Sequence, residues 1–482
     1  MAQMAHQPTN TKGGSPPVAG FFRTVGRYRW TELFLLIIPS AILLLEMAQL
    51  LIINSTPNSQ SAAVNIKNLS IGNGLTPILG FVGVLFGVHI IMNIFFRKAD
   101  QFLLPITGLL TGLGILMMTR LGPDQSPIPI PNLGSHQLLW AILAIALSLV
   151  VLALVRKTSI LSRYKYIWAL VSIAMISPSV FQGVKSLATD APTRDTLGVG
   201  SLSFQPSEIF KVSLVIFFAG YLNDNRDILA QGYFRLGGIR LPPLKQLGPL
   251  VLMLFLALLI FLVVRELGLA LLIYGIFLSM TYLANGKISY VLVNLGIFLV
   301  LGFIGYSLFS YVKARFATVG INMLTWTPHD EYLYEQPGGA EQVVLGLVAL
   351  SSGGLLGAGL GLGSPFYTPI NYSDMVFTSF GEEFGLIGMF AIIGLYLLLV
   401  YRGFKIAAEA SDPFDKLLAA GLTCIFAIQT FVVAMCNMKF MPLTGIPLPF
   451  LSNGGSALLG NFIDIGLLLR ISYNTATECE GI

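Results

Sequence analysis

Asn371-Tyr-Ser-Asp-Met-Val-Phe-Thr-Ser-Phe-Gly-Glu-Glu-Phe-Gly-Leu-Ile-Gly388 joins a polar loop to an apolar run that continues to Val400. A run of that length is close to the ~20 residues needed to cross a ~30 Å hydrocarbon core, so it reads as a membrane span with one carboxylate, Asp374, at its entrance. The same texture extends through the chain. Of 482 residues, 55% are hydrophobic and 11% charged, and the mean hydropathy is +0.78. Soluble domains carry about 25% charged residues. A set of water-soluble domains is therefore excluded, and the expected fold is an all-α, polytopic membrane helical bundle. The net charge of +5 bears on orientation in the bilayer, and no nucleic-acid partner is expected. Cys424 and Cys436 lie in apolar runs and Cys479 in the terminal tail, which gives no disulfide framework.

Runs long enough to span fall at roughly 32–53, 75–96, 102–119, 137–155, 165–181, 207–222, 248–264, 267–284, 289–311, 379–401, 415–436 and 455–471, about twelve transmembrane helices. The apolar run 343–363 is interrupted by Gly346, Gly353, Gly354, Gly357, Gly359, Gly361 and Gly363. Each glycine weakens a helix by ~1 kcal/mol, so this run reads as a re-entrant or surface-lying part of the long loop 312–378. With the amino terminus inside, nineteen of the 28 Lys and Arg fall on the cytoplasmic side, eight outside and Lys211 within a span. The positive-inside rule then puts both termini in the cytoplasm and Asp374 outside. Residues 1–31 read as a disordered cytoplasmic tail, 32–119 as a region of N-terminal extra spans, 120–472 as the core and 473–482 as a second cytoplasmic tail.

Several residues in this pattern could carry chemistry. Asp374 has two readings: a reactive carboxylate, or a first-turn acid beside a cap from Asn371 or Ser373. Glu382 and Glu383 lie deeper in the span, with at least one expected to face the bundle interior, and a regular helix would make them supports. In Ser203-Phe-Gln-Pro-Ser-Glu-Ile-Phe-Lys-Val-Ser213, Glu208 and Lys211 share a helix face and can pair. Charges in a span suggest function by default, and a structural ion pair is the alternative. Arg265-Glu266 reads as a tight turn between two spans. Gln429 and Asn437 add polarity to a neighbouring span. From Cys436 to Ser456, three prolines and three glycines forbid regular helix, and such backbone at membrane depth lines a cavity or is buried in protein. The four histidines have no ligand spacing, and phosphate-loop, nucleophile-elbow and His-Glu-x-x-His motifs are absent.

Four segments in order resemble one family. They are Phe204-Gln-Pro-Ser-Glu208 with Lys211; Gly353-Gly354 followed by Gly357, Gly359, Gly361 and Gly363; Ser373-Asp-Met-Val-Phe377 with Glu382-Glu383-x-Gly385; and Pro442-x-Thr-Gly-x-x-Leu-Pro-Phe-x-Ser-x-Gly-Gly-Ser456. They are similar to the SEDS proteins (shape, elongation, division and sporulation), the RodA/FtsW/SpoVE group, over about residues 165–472, in a long form with an extended N-terminal region of two spans beyond the usual ten. The resemblance implies a glycosyltransferase that polymerises peptidoglycan from lipid II at the outer face of the bacterial cytoplasmic membrane, inverting at the anomeric carbon and releasing undecaprenyl pyrophosphate. Asp374 would be the general base, Glu208 and Lys211 a functional intramembrane pair, and a class B penicillin-binding protein the transpeptidase partner. Gln205, Gln342, Ser373, Glu382, Glu383, Ser452, Gly454, Gly455 and Ser456 are the expected supporting or substrate-binding positions. Positive charge for the pyrophosphate would come from Lys185, Arg194, Lys313 or Arg315, or from a divalent cation, Mg or Mn. The chain departs from the family pattern at Val264-Arg-Glu-Leu-Gly268, at Leu187, where tryptophan is usual, and at Lys439, where glycine is common. The rival reading is a flippase for lipid II or another amphipath, with Asp374 and the Glu208–Lys211 pair along its path.

Overall fold

A computed structural model describes residues 28–55, 71–124, 130, 132–189, 197–199, 202–226, 234–236, 239–241, 255, 263–264, 266–335 and 340–480. The chain is a helical bundle. Its main helices are α1 (Trp30–Ser55), α2 (Ile71–Phe95), α3 (Leu103–Leu121), α4 (Leu133–Leu154), α5 (Lys165–Thr189), α6 (Pro206–Asp224), α7 (Leu267–Asn285), α8 (Ile288–Leu308), α9 (Ser310–Gly320), α10 (Pro328–Glu335), α11 (Ala340–Gly353), α12 (Val376–Glu409), α13 (Pro413–Asn437) and α14 (Gly455–Glu480). The strands are short and paired antiparallel: β1 (Leu197–Val199) with β2 (Leu202–Phe204), and β3 (Phe234–Leu236) with β4 (Ile239–Leu241).

Ten of these helices are long and apolar enough to cross a membrane among the described residues. They are α1 to α5, α7, α8 and α12 to α14. The 19-residue α6 adds a polar-faced helix at another expected span, while the expected run 248–264 and the turn at Arg265 lie mostly outside the described residues.

Burial sorts the helices into a centre and a rim. Of the residues in the apolar window of α3, 94% are buried in protein, against 6% for α8, so α3 is surrounded by other helices while α8 lies at the rim of the described bundle. α6, α13 and α14 join α3 at the centre. Small residues set the closest approaches. A Cβ on Gly112 would lie 2.3 Å from Leu43 of α1, one on Gly108 would lie 2.9 Å from Leu85 of α2, and one on Gly455 would lie 2.3 Å from the ring of Trp140 on α4.

Local chemistry places the ends. Pro206 occupies the first turn of α6, where its missing amide costs nothing. Asp412 caps α13 by accepting from the Phe414 amide. α7 stops at Gly286, in a left-handed conformation (φ 65°).

The long loop before α12 is largely helical. α9, α10 and α11 lead into the glycine-rich segment, which packs against a break in α12 at Gly385 (φ 67°, ψ −170°). The freed amides of Leu386 and Ile387 donate to the carbonyls of Gly354 (3.0 Å) and Leu355 (3.1 Å), and the carbonyls of Glu382 and Glu383 accept from Ala358 and Gly359, each at 2.9 Å. The helix is regular through Glu382 and Glu383, and the expected span 379–401 breaks just beyond them, at Gly385. The glycines are required by this close approach: a Cβ on Gly353 would sit 2.1 Å from the Gly381 carbonyl.

Candidate active site

Asp374 lies in the turn that enters α12. α12 begins at Val376, and Met375, at its N-cap position, provides no side-chain cap. The loop is instead held by its own main-chain carbonyls. The Asn371 carbonyl accepts from Ser379 Oγ (3.2 Å), and that of Tyr372 accepts from the Asn453 amide (2.8 Å). The Ser373 carbonyl accepts from Ser452 Oγ (2.6 Å) and the Asp374 carbonyl from Asn437 Nδ2 (3.0 Å). The Pro/Gly-rich segment after α13 therefore forms a wall against the acid, as expected. Ser452 is fixed in turn, since its Oγ accepts from the Leu448 amide (2.7 Å) and its carbonyl accepts from Gln137 (3.0 Å).

Asp374 is 9% exposed, and its Oδ1 has no hydrogen-bond partner among the described residues. Burial raises its pKa to about 6, while main-chain amides at 374 and 375 and the charge of Arg315 pull in the opposite direction. Arg315 on α9 also donates to the Leu443 carbonyl at 3.1 Å. Of the four expected cations it is the one, among the described residues, that lies within electrostatic reach of the acid. Lys313 is exposed on the same helix. Lys185 lies on α5, and Arg194 lies outside the described residues.

Glu208 and Lys211 form a buried ion pair (2.8 Å), and Lys211 Nζ donates to Gln429 (3.1 Å), whose Nε2 donates to the Pro447 carbonyl (2.7 Å). A narrow cleft lined by Gln205, Glu208, Lys211, Glu266 and Gly445 runs beside this pair. Gly445 faces Asp374, for its Cβ position lies 3.9 Å from Oδ2. Ser456 accepts the Gln205 amide (3.0 Å), Gly454 and Gly455 begin α14, and Gln342 is half-buried on α11. Lys439 adopts φ 64°, a conformation that favours glycine, and its ammonium donates to the Ile321 carbonyl.

Beside these groups lie two buried charges that escaped the sequence reading. Asp464, on α14, is within electrostatic reach of both Lys211 and Glu208; an acid inside the apolar run 455–471 was the available signal. Arg120, counted among the outer-loop cations, is 1% exposed at the end of α3 and pairs with Glu383 (3.0 Å). An arginine that ends an apolar run looks the same whether it faces headgroups or protein.

The cell cycle protein family of FtsW, RodA and SpoVE matches residues 100–477. The peptidoglycan glycosyltransferase RodA of Mycobacterium tuberculosis is 32% identical over 403 residues, 82% of each chain. Stage V sporulation protein E of Bacillus subtilis is 32% identical over 282 residues, 58% of this chain and 71% of that one. A solved chain described under "Structural coordination of polymerization and crosslinking by a peptidoglycan synthase complex" shares the fold at a TM-score of 0.55 and 22% identity, covering 78% of this chain and 98% of that one. With the family matched over most of its length, the chain belongs to the FtsW, RodA and SpoVE family of cell cycle proteins.

Proposed function

We propose that the chain is a peptidoglycan glycosyltransferase that polymerises lipid II, with Asp374 as general base. The observation that carries this reading is a buried carboxylate with one free oxygen, on a loop fixed by four carbonyl contacts, in a chain of this family. Asp374 takes the proton from the 4-hydroxyl of the acceptor N-acetylglucosamine as that oxygen bonds to the anomeric carbon of the donor N-acetylmuramic acid. The bond from that carbon to the pyrophosphate breaks, inverting the centre, and undecaprenyl pyrophosphate leaves. A positioned base contributes about 10²–10⁴-fold, and a carboxyl near pH 6 matches the task better than one near its usual ~3.9.

Arg315 offsets charge gathering on the departing pyrophosphate. Among the described residues no three His, Cys, Asp or Glu side chains come together to hold a metal ion; a Mg or Mn ion carried on the pyrophosphate of the substrate would need only one or two protein ligands. The orientation follows the distribution of positive charge: both termini cytoplasmic, Asp374 outside. A class B penicillin-binding transpeptidase is the proposed partner, supported by likeness to the chain of the peptidoglycan synthase complex.

The test is polymerisation of lipid II by purified Asp374→Asn with that partner. Loss of at least about 10²-fold is expected. Full polymerisation by a folded variant sinks the assignment, and movement of lipid II across vesicles without polymer would favour the flippase instead.

A further inference from the structure

The Arg120–Glu383 pair takes no part in the proposed chemistry, yet it sits at the beginning of the segment that ends in Asp374. Arg120 Nε lies 3.0 Å from Glu383 Oε1, and both side chains are fully enclosed. Arg120 Nη2 also donates to the Gly363 carbonyl at 3.0 Å. The next residue, Ser364, donates its amide to Glu382 Oε1 at 2.7 Å. A Cβ on Gly363 would lie 3.1 Å from Glu383 Cγ and 3.3 Å from Glu382 Cγ, so the main chain rests directly on the two glutamates. Two successive residues are thus gripped, one by its carbonyl and one by its amide, from α3 and α12.

Between this grip and Asp374, the Pro365 carbonyl accepts from Asn371 Nδ2 (2.9 Å), and Ile370 adopts φ 56°. A β-branched residue in the left-handed region is a genuine outlier. It persists only where the surroundings over-determine the backbone, and such strain gathers at functional sites. Releasing either end of the segment would let Ile370 return to an ordinary conformation and carry Asp374 with it.

We infer that Arg120 and Glu383 are positioning residues for glycosyl transfer: they anchor the entry end of the Asp374 loop and hold its strained backbone in the reactive arrangement, without touching substrate. This rests on Asp374 being the base. Misplacement of a reacting group by about 1 Å can cost about 10²-fold. Arg120→Lys, which keeps the charge but loses the planar fork, and Glu383→Gln are therefore expected to lower kcat for lipid II by about 10–100-fold with KM little changed. The double variant Arg120→Met/Glu383→Leu removes both charges together and so avoids a lone buried ion; it is expected to show the same split.

A second readout does not depend on catalysis. In a Cys479→Ser background, maleimide labelling of Ser373→Cys is expected to quicken when either partner of the pair is changed. Unchanged kcat and unchanged labelling in the folded double variant would overturn the inference, as would a loss confined to KM. Normal polymerisation by Asp374→Asn alongside faster labelling in the Arg120 variants would strike the chemistry and leave the loop anchor standing, so the two failures are distinct.

Discussion

A carboxylate ordinarily ionises far below neutral pH and binds a proton weakly. Asp374 departs from this because burial removes water that would stabilise its charge, and Arg315 only partly replaces it. With its pKa at about 6, ionised molecules outnumber protonated ones by roughly ten to one at pH 7. The base is lost as pH falls through that value, so kcat/KM is expected to decline about tenfold per unit below pH 6 and to level off above it; a pH–rate profile of the purified complex measures this. The same shift has a consequence for stability. A raised carboxyl pKa means that the fold favours the neutral form, so ionisation costs stability as pH rises from the unfolded value through about 6. Asp374→Asn is neutral throughout and is expected to melt no lower than the parent at pH 7.5, while lacking activity. The acid itself was legible in sequence because charge at the mouth of an apolar run is conspicuous. Its environment was legible in part: Asn437, Ser452 and the irregular backbone of 436–456 stood out, but which carbonyl of the loop Asn437, Ser452 and Asn453 would each hold depends on how distant segments meet.

At the scale of elements, the glycines of 343–363 were legible as helix breakers, but their purpose emerges only where two segments meet. α12 opens at Gly385, and its unpaired amides and carbonyls find partners along residues 354–359. Without them, irregular backbone at membrane depth would leave polar groups unsatisfied. Gly385 holds a conformation that is essentially restricted to glycine, and a Cβ there would lie 2.2 Å from the Gly357 amide nitrogen. Gly385→Ala is expected to destabilise the protein by about 2–3 kcal/mol and to reduce polymerisation by disturbing the adjacent Glu382 and Glu383; thermal unfolding in detergent with an activity assay tests both. The pairing of Glu208 with Lys211 followed from their spacing on one helix face. The addition of Asp464 required the third dimension, which brings α14 against α6.

Across the whole molecule, hydropathy gave the span pattern because twenty apolar residues in water have few alternatives. How the first two helices attach was hidden. Arg29, 1% exposed, bonds Glu32 through Nε (3.0 Å) and gathers the carbonyls of Phe96 (2.9 Å), Arg97 (3.1 Å), Ala99 (2.8 Å) and Asp100 (2.9 Å). Glu32 also meets His89 Nδ1 (2.7 Å), whose Nε2 contacts the Tyr28 hydroxyl (2.9 Å). Asp100 then pairs with Arg402 of α12, and its amide donates to Ser472 of α14 (3.0 Å), so this polar knot ties α1 and α2 to the core. Arg29→Ala would leave the Glu32 carboxylate without its cation and is expected to cost about 3–5 kcal/mol, seen as a lower melting temperature in detergent.

The notches at Gly108 and Gly112, filled by Leu85 and Leu43, carry one further implication. The family match begins at residue 100, yet both fillers come from before it. Excising the chain to its matched part would leave two side-chain-sized grooves on α3 open to acyl chains, and would strip Gln49 from the Leu360 carbonyl (3.5 Å) in the glycine-rich segment. The leading helices and the missing side chains that receive them pack as one unit, so a larger residue at Gly108 or Gly112 would need a smaller one than Leu85 or Leu43 opposite it.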